Sequence, residues 1–128
     1  MSNARILVVD DEADIRDLVQ EILTEEGYTV EVAGNAAEAR AACAAQLPDL
    51  VLLDIRMPRL TGYDVCRRLR AEPSTQHIPV AFLSAKGQEA EIQAGMDAGA
   101  TDYILKPFAP DQLIQRVALL LGEPGSQP

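Results

Sequence analysis

Residues Leu50–Pro58 read LVLLDIRMP, an apolar run that ends in an aspartate and is followed four positions later by a proline. Its first four residues are all apolar and predict a strand from Leu50 to Leu53 that is buried on both faces, as strands of parallel sheets are. An aspartate, Asp54, follows at once. A charged group at the end of a buried strand needs a partner, a metal ion or a reaction. The stretch therefore predicts a buried sheet with a polar site at its edge.

Strand and helix patterns alternate along the rest of the chain. Apolar runs rich in β-branched residues predict strands, and apolar residues recurring at i, i+3, i+4 and i+7 predict helices. The predicted strands are Arg5–Val9, Tyr28–Ala33, Leu50–Leu53, Ile78–Ser84 and Thr101–Leu105, and the predicted helices cover about 15–26, 35–46, 61–71, 88–98 and 111–121. Such alternation predicts an α/β fold, in which right-handed crossovers wrap a five-stranded parallel sheet with five helices.

The apolar positions also predict which side of each helix faces the sheet. On the first helix the inward residues are Ile15, Leu18, Val19, Ile22 and Leu23. Gly27 is predicted to end that helix, and Asn35 to cap the next one. The fourth helix has the weakest apolar face, with only Ile92 and Met96 as large anchors, which suggests an element that can move.

Composition limits the functions open to the chain. Its 128 residues suit one domain, predicted as residues 1–122, and residues 123–128 have the composition of a tail or the start of a linker. A net charge of −9 argues against a nucleic-acid surface in this domain. No apolar run reaches the length of about 18 residues that a membrane span needs, and no signal peptide precedes the first strand, so we expect a cytoplasmic protein. Cys43 and Cys66 lack metal-ligand spacing and are predicted to be reduced core thiols, and His77 is predicted to lie at the surface.

Polar residues follow the strands at one edge of the predicted sheet. Asp10 and Asp11 follow the first strand, Asp54 the third, Ser84 the fourth and Lys106 the fifth. Ligands of open α/β sheets bind outside the carboxyl ends of the strands. Three neighbouring carboxylates repel one another, and one ammonium group is too little to neutralise them. The set therefore predicts a hard divalent cation with oxygen ligands, and Mg²⁺ fits best.

A cation, an ammonium group, a hydroxyl and a carboxylate are also the groups that phosphoryl transfer uses. The chain has no GxxxxGK[ST] loop, so nucleotide binding is not supported. A phosphatase with an aspartyl nucleophile is a weak rival, since such enzymes typically carry DxDx[TV] after the first strand and this chain has VVDDEAD there. The stronger rival is an interaction module that keeps the fold and accepts no phosphate.

Four separated stretches resemble the receiver domains of two-component response regulators. They are ILVVDDEADIR, LVLLDIRMPRLTGYD, FLSA and GATDYILKPF, and the resemblance covers about residues 5–121. It implies the flavodoxin-like strand order 2-1-3-4-5. It also implies a phosphorylation switch and not an enzyme, although such a domain assists its own phosphorylation and its slow autodephosphorylation.

The resemblance assigns a role to each matching residue. Asp54 would accept the phosphoryl group. Mg²⁺ would be bound by Asp11, by Asp54, by the backbone carbonyl of Arg56 and, through water, by Asp10. Lys106 and Ser84 would contact the phosphoryl oxygens, and Tyr103 would turn inward as an aromatic switch. The Lys106–Pro107 peptide bond would be cis, and Arg56 and Lys86 would influence hydrolysis of the acyl phosphate.

The resemblance implies partners as well. A sensor histidine kinase or a phosphotransfer protein would donate the phosphoryl group. A downstream protein or a fused effector domain would read the surface formed by the fourth helix, fifth strand and fifth helix. Neither nucleic acid nor membrane is expected to bind this domain. The sequence leaves open the cognate kinase, the regulated pathway, the lifetime of the acyl phosphate and a phosphorylation-dependent dimer.

Overall fold

Five parallel strands form one sheet in the order β2-β1-β3-β4-β5, as predicted. The computed structural model describes residues 4–55, 61–85, 89–106 and 108–122, without the side chains of residues 84, 85, 89 and 91. The strands are β1 (Arg5–Val9), β2 (Thr29–Ala33), β3 (Leu50–Asp54), β4 (Val80–Ala85) and β5 (Asp102–Lys106). The helices are α1 (Ala13–Glu25), α2 (Ala36–Ala45), α3 (Gly62–Ala71), α4 (Glu89–Asp97) and α5 (Pro110–Leu120).

The core lies on both faces of the sheet, because alternate residues of each strand point to opposite sides. On one face, side chains from β1, β3 and β4 pack against α2 and α3, with Leu69 of α3 among them. On the other face they pack against α1 and α5, where Leu23 and Leu113 are completely buried. All five residues of β3 are buried, which confirms the prediction for this strand.

The predicted helix ends are confirmed. Gly27 has φ of 96°, a left-handed conformation that favours glycine, directly after α1. The side-chain oxygen of Asn35 accepts a hydrogen bond from the backbone N–H of Glu38, and this bond caps α2. Local sequence was enough for these ends because each cap is formed by residues within four positions of one another.

Two predictions of buried residues are wrong. Leu18 of α1 is 43 % exposed and Met96 of α4 is 41 % exposed, although both fit an apolar helical stripe. In α4 the contact with the sheet is made instead by Gly95, where an added Cβ would lie 2.7 Å from Cδ2 of Phe82. The helix approaches the Phe82 ring through this glycine, so its larger apolar side chain is left outside.

The remaining predictions of this kind have mixed outcomes. Cys66 is buried, as predicted, whereas Cys43 is only half-buried against the same core; both are free thiols. His77 is exposed, as predicted. Across the part of the chain that the structure describes, no helix has the length and apolarity required to cross a bilayer. The predicted tail, residues 123–128, lies outside the described residues.

Candidate functional site

The strand order brings Asp10 and Asp54 to the same point of the sheet edge. β1 and β3 are neighbours, and their register pairs Val9 with Leu53. The next residue of each strand is therefore an aspartate. Both are buried: Asp10 is 0 % and Asp54 is 6 % exposed. Two buried carboxylates side by side repel each other unless positive charge is close to them.

Asp11 completes a cluster of three carboxylates. Ligand oxygens of Asp10, Asp11 and Asp54, here called the acidic cluster, all lie within 4.8 Å of one another. Asp11 is exposed, while the other two are not. The cluster thus opens to solvent on the side of Asp11.

Lys106 provides the positive charge inside the cluster. Its ammonium nitrogen donates to Asp54 Oδ1 at 3.1 Å and to Asp10 Oδ2 at 3.2 Å, and it lies 3.8 Å from a carboxylate oxygen of Glu12. The register of β4 with its two neighbours places Lys106 two positions further along than Asp54, so its long side chain reaches back across β4. The lysine and the acidic cluster thus form one charge network.

The protonation equilibria of these groups reflect burial and charge. The pKa of Asp54 is raised to about 6. Burial makes the largest contribution, repulsion from Asp10 and Asp11 raises the pKa further, and the positive charge of Lys106 lowers it in part. For Lys106, burial alone would lower the pKa, but the charges of Asp54 and Asp10 outweigh it and leave the pKa above its ordinary value. Lys106 therefore stays charged at neutral pH, and Asp54 binds protons more readily than an ordinary aspartate.

Arg16 is a residue of this site that the sequence analysis did not identify. It lies in α1, and its Nη1 donates to the backbone carbonyl of Asp10 at 2.7 Å. The Asp10 carboxylate in turn accepts from the backbone N–H of Glu12 at 2.9 Å. These two bonds fix the turn that carries the first two carboxylates. Only the spacing of six residues from Asp10 to Arg16 could have indicated the contact, and spacing alone does not show where a side chain points.

Gly62 fixes the backbone beside Asp54. Its N–H donates to the carbonyl of Ile55 at 2.9 Å, and a Cβ added to it would lie 2.2 Å from the carbonyl oxygen of Asp54. Thr61 begins α3 with a capping box in which Asp64 takes part. The first turn of α3 is therefore in direct contact with the end of β3, and only glycine fits there.

The other predicted site residues are described in part or not at all. Tyr103 is half-buried in β5, and its register partner in β4 is Phe82. Ser84 lies in β4 next to Leu83, the register partner of Asp54, but its side chain is not described. Arg56, Lys86 and Pro107 lie outside the described residues. The structure thus brings together Asp10, Asp11, Asp54 and Lys106 of the predicted set.

The acidic cluster has the chemistry of a site for a hard divalent cation. Its donors are carboxylate oxygens, which Mg²⁺ and Ca²⁺ prefer over softer metals. Three carboxylates and one ammonium group also leave negative charge in excess where two of the carboxylates are buried. A bound cation would remove this excess, so the residues present fit Mg²⁺.

The sequence matches the family model described as response regulator receiver domain over residues 6–118. Similar proteins include the response regulator MprA of Mycobacterium ulcerans, 44 % identical over 119 residues, which are 93 % of this chain and 50 % of that protein. The DNA-binding response regulator MtrA of Mycobacterium tuberculosis is 40 % identical over 124 residues, 97 % of this chain and 53 % of that protein. The chain spans about half the length of these relatives.

Solved structures show the same fold at substantial sequence identity. The receiver domain of NtrX from Brucella abortus superposes with a TM-score of 0.84 at 40 % identity, covering 91 % of this chain and 98 % of that one. The chemotaxis protein CheY4 of Vibrio cholerae superposes with a TM-score of 0.88 at 30 % identity, covering 93 % and 99 %. With its flavodoxin-like strand order and its family match, this chain belongs to the response regulator receiver domains, the signalling switches of two-component systems.

Proposed function

We propose that this domain is a phosphorylation switch whose acceptor is Asp54. The observation that carries the proposal is the position of this carboxylate: it ends a fully buried strand, lies beside Asp10 and contacts the Lys106 ammonium group. One ammonium group, that of Lys106, offsets only part of the repulsion among three adjoining carboxylates, so a purely structural role would leave a cost in stability. Binding of a cation and of a phosphoryl group would account for three carboxylates at one point of the sheet edge.

Mg²⁺ is the cofactor that we propose for the acidic cluster. Asp11 and Asp54 would bind it directly, Asp10 through water, and the backbone carbonyl of Arg56 would complete the protein ligands. When bound, the ion supplies neutralisation of the charge on the phosphoryl oxygens. Arg16 supports this arrangement, since its bond to the Asp10 carbonyl fixes the turn between β1 and α1.

The chain's own residues account for the transfer step. A carboxylate oxygen of Asp54 attacks phosphorus, the bond from phosphorus to the histidine nitrogen of the donor breaks, and the imidazole leaves. Lys106 already contacts Asp54 and would form an ion pair with the phosphoryl oxygens after transfer. The hydroxyl of Ser84 would donate a hydrogen bond to one of these oxygens. The domain assists its own phosphorylation in this way. In the slow autodephosphorylation water attacks phosphorus, the bond from phosphorus to the Asp54 oxygen breaks, and the carboxylate is restored with release of inorganic phosphate, so no separate substrate is turned over.

Tyr103 is the proposed link from the site to the output surface of α4, β5 and α5. Its backbone N–H donates to its neighbour Asp102 at 2.8 Å, and its carbonyl accepts from Arg116 of α5 at 3.4 Å. Its ring packs against the same core face as Phe82, on which α4 rests through Gly95. A shift of Ser84 towards a phosphoryl group would change the space next to this ring and so the position of α4.

The partners follow from the family. We propose a sensor histidine kinase or a phosphotransfer protein as donor and a cytoplasmic location for the exchange. The MtrA relatives are DNA-binding response regulators. We therefore propose a DNA-binding effector as the downstream partner, reached through the surface of α4, β5 and α5 while this acidic domain itself does not touch DNA.

An intact mass measurement tests the proposal. The wild-type chain is incubated with acetyl phosphate, with and without Mg²⁺, beside Asp54→Asn and the matched exposed-carboxylate variant Asp17→Asn. We expect one phosphoryl adduct on the wild type and on Asp17→Asn, absent without Mg²⁺ and absent from Asp54→Asn. No adduct on folded protein that binds Mg²⁺, with acetyl phosphate or with any histidine-phosphorylated donor, would favour the phosphate-independent interaction module.

A further inference from the structure

Arg16 holds the peptide unit that joins Asp10 to Asp11. The Asp10 carbonyl, which accepts from Arg16 Nη1 at 2.7 Å, belongs to the same planar unit as the N–H of Asp11. The other polar groups of Asp10 are bonded too: its N–H donates to the carbonyl of Ala33 at 3.0 Å, and its carboxylate accepts from the N–H of Glu12 at 2.9 Å. The guanidinium group thus fixes the plane from which Asp11 extends.

Asp11 is the exposed member of the acidic cluster. Asp10 and Asp54 are buried at the ends of their strands, whereas Asp11 lies in the turn between β1 and α1. In the proposed Mg²⁺ site Asp11 is a direct ligand of the ion. Ordering a ligand only when the ion arrives costs conformational entropy, and a turn that is already fixed avoids this cost. The orientation of the peptide unit before Asp11 should therefore affect how tightly the ion binds.

The loop between β2 and α2 also lies against the guanidinium group. A Cβ added to Gly34 would lie 3.1 Å from Arg16 Nη1 and 3.4 Å from Oε1 of Glu38, so both side chains approach this glycine closely. Glu38 Oε1 in turn accepts from the Gly34 N–H at 2.6 Å. Arg16 is half-buried at this place. The loop therefore restricts the guanidinium group to the position from which it donates to Asp10.

The contact of Arg16 with the site is to the backbone and not to a carboxylate. Among the described residues, the ion pairs of the acidic cluster are formed by Lys106, while Arg16 donates to a carbonyl oxygen. The positive charge of Arg16 alone would weaken the binding of a nearby cation. An effect of its charge and an effect of its hydrogen bond on Mg²⁺ affinity therefore have opposite signs.

We propose that Arg16 is a positioning residue that raises the affinity of the acidic cluster for Mg²⁺. It holds the Asp10–Asp11 peptide unit in the orientation that presents the Asp11 carboxylate to the ion, and this effect outweighs the repulsion from its own charge. Residues that orient metal ligands from outside commonly lower metal affinity about 10–100-fold when they are removed. The inference rests on the proposed Mg²⁺ site and names the residue that sets its affinity.

Titration of the metal-free, isotope-labelled chain with MgCl₂, followed by the NMR resonances of the backbone amides, tests the proposal. Arg16→Met keeps an unbranched side chain and removes the charge and the donors, and we expect it to bind Mg²⁺ about tenfold more weakly than the wild type. Arg40→Met removes an exposed arginine of α2 and so matches the change in net charge. It should alter the affinity less than about twofold, because exposed charges are screened.

The outcomes separate this inference from the proposed function. Equal or tighter Mg²⁺ binding by folded Arg16→Met would overturn the inference and leave the metal site standing. Equal weakening by Arg40→Met would overturn it as well, since net charge would then be responsible. No Mg²⁺ binding by the wild type would overturn both the metal site and the role of Arg16.

A second measurement needs no variant. Coupling between two binding events is reciprocal, so Mg²⁺ should strengthen the bond from Arg16 to Asp10 by the same factor. In the wild-type chain the Nη protons of Arg16 should exchange with water about tenfold more slowly at saturating Mg²⁺, while those of Arg40 should not change. A purely structural Arg16 would show the same exchange with and without Mg²⁺, and that result would overturn the inference even if Arg16→Met did not fold.

Discussion

Asp54→Asn should make the metal-free domain more stable at neutral pH. Asp54 has its pKa raised to about 6 by burial and by its acidic neighbours, against an ordinary value of 3.8. The folded state therefore holds this proton more tightly than the unfolded state does. Stability decreases as the pH rises through the window from 3.8 to about 6, and the loss is complete above it. Asparagine keeps the shape of the side chain and removes the charge.

The magnitude follows from the same two pKa values. Their difference corresponds to at most about 3 kcal/mol of the free energy of unfolding at pH 7.5. Solvent reaches the cluster through the exposed Asp11, and this screening reduces the expected gain to about 1–2 kcal/mol. At pH 4 the wild-type carboxyl is protonated in the folded state, so the expected gain is below about 0.5 kcal/mol.

Urea unfolding in the presence of a chelator, followed by circular dichroism at pH 4 and pH 7.5, measures the difference in free energy of unfolding between Asp54→Asn and the wild type. Asp17→Asn, an exposed carboxylate of α1, serves as the control and should change stability little at either pH. Added Mg²⁺ should stabilise the wild type, because a ligand that binds the folded state raises the free energy of unfolding. With Mg²⁺ the wild type should therefore be more stable than Asp54→Asn, the opposite of the metal-free result. A variant less stable than the wild type at pH 7.5, or a gain that is equal at both pH values, would refute the reasoning.

Three further substitutions test contacts around the site. Gly62→Ala should lower the free energy of unfolding by about 2–3 kcal/mol, since its Cβ would meet the Asp54 carbonyl oxygen, and urea unfolding with a loss below about 0.5 kcal/mol would contradict the contact. Gly95→Ala should cost about 1 kcal/mol despite the helix propensity of alanine, because the Phe82 ring must shift, and a gain in thermal stability would show that α4 has room there. Lys106→Met should lower the free energy of unfolding of the metal-free domain by about 2–3 kcal/mol at pH 7.5, because Asp10 and Asp54 lose their positive partner. The loss, measured by urea unfolding, should be smaller at pH 4, and Mg²⁺ should restore much of it at pH 7.5. The same loss at both pH values would mean that packing, not charge, is responsible.

The sheet, its helices and the three carboxylates of the acidic cluster could be predicted from the order of residues along the chain. Continuous apolar runs identify strands that are buried on both faces, and parallel strands all end at one edge. A polar residue directly after such a run must therefore lie at that edge, whatever the details of packing. For this reason Asp10, Asp54 and Lys106 could be placed together from their positions alone.

The contacts between elements could not be predicted in the same way. Periodicity shows that Leu18 and Met96 are on an apolar stripe, but it does not show whether a neighbouring element covers them. The requirement for glycine at position 62 comes from the approach of α3 to the end of β3, and the contact of Arg16 with the Asp10 carbonyl comes from the direction of one side chain. Contacts of this kind depend on how whole helices and strands pack against one another, and the residues within one element do not specify that packing.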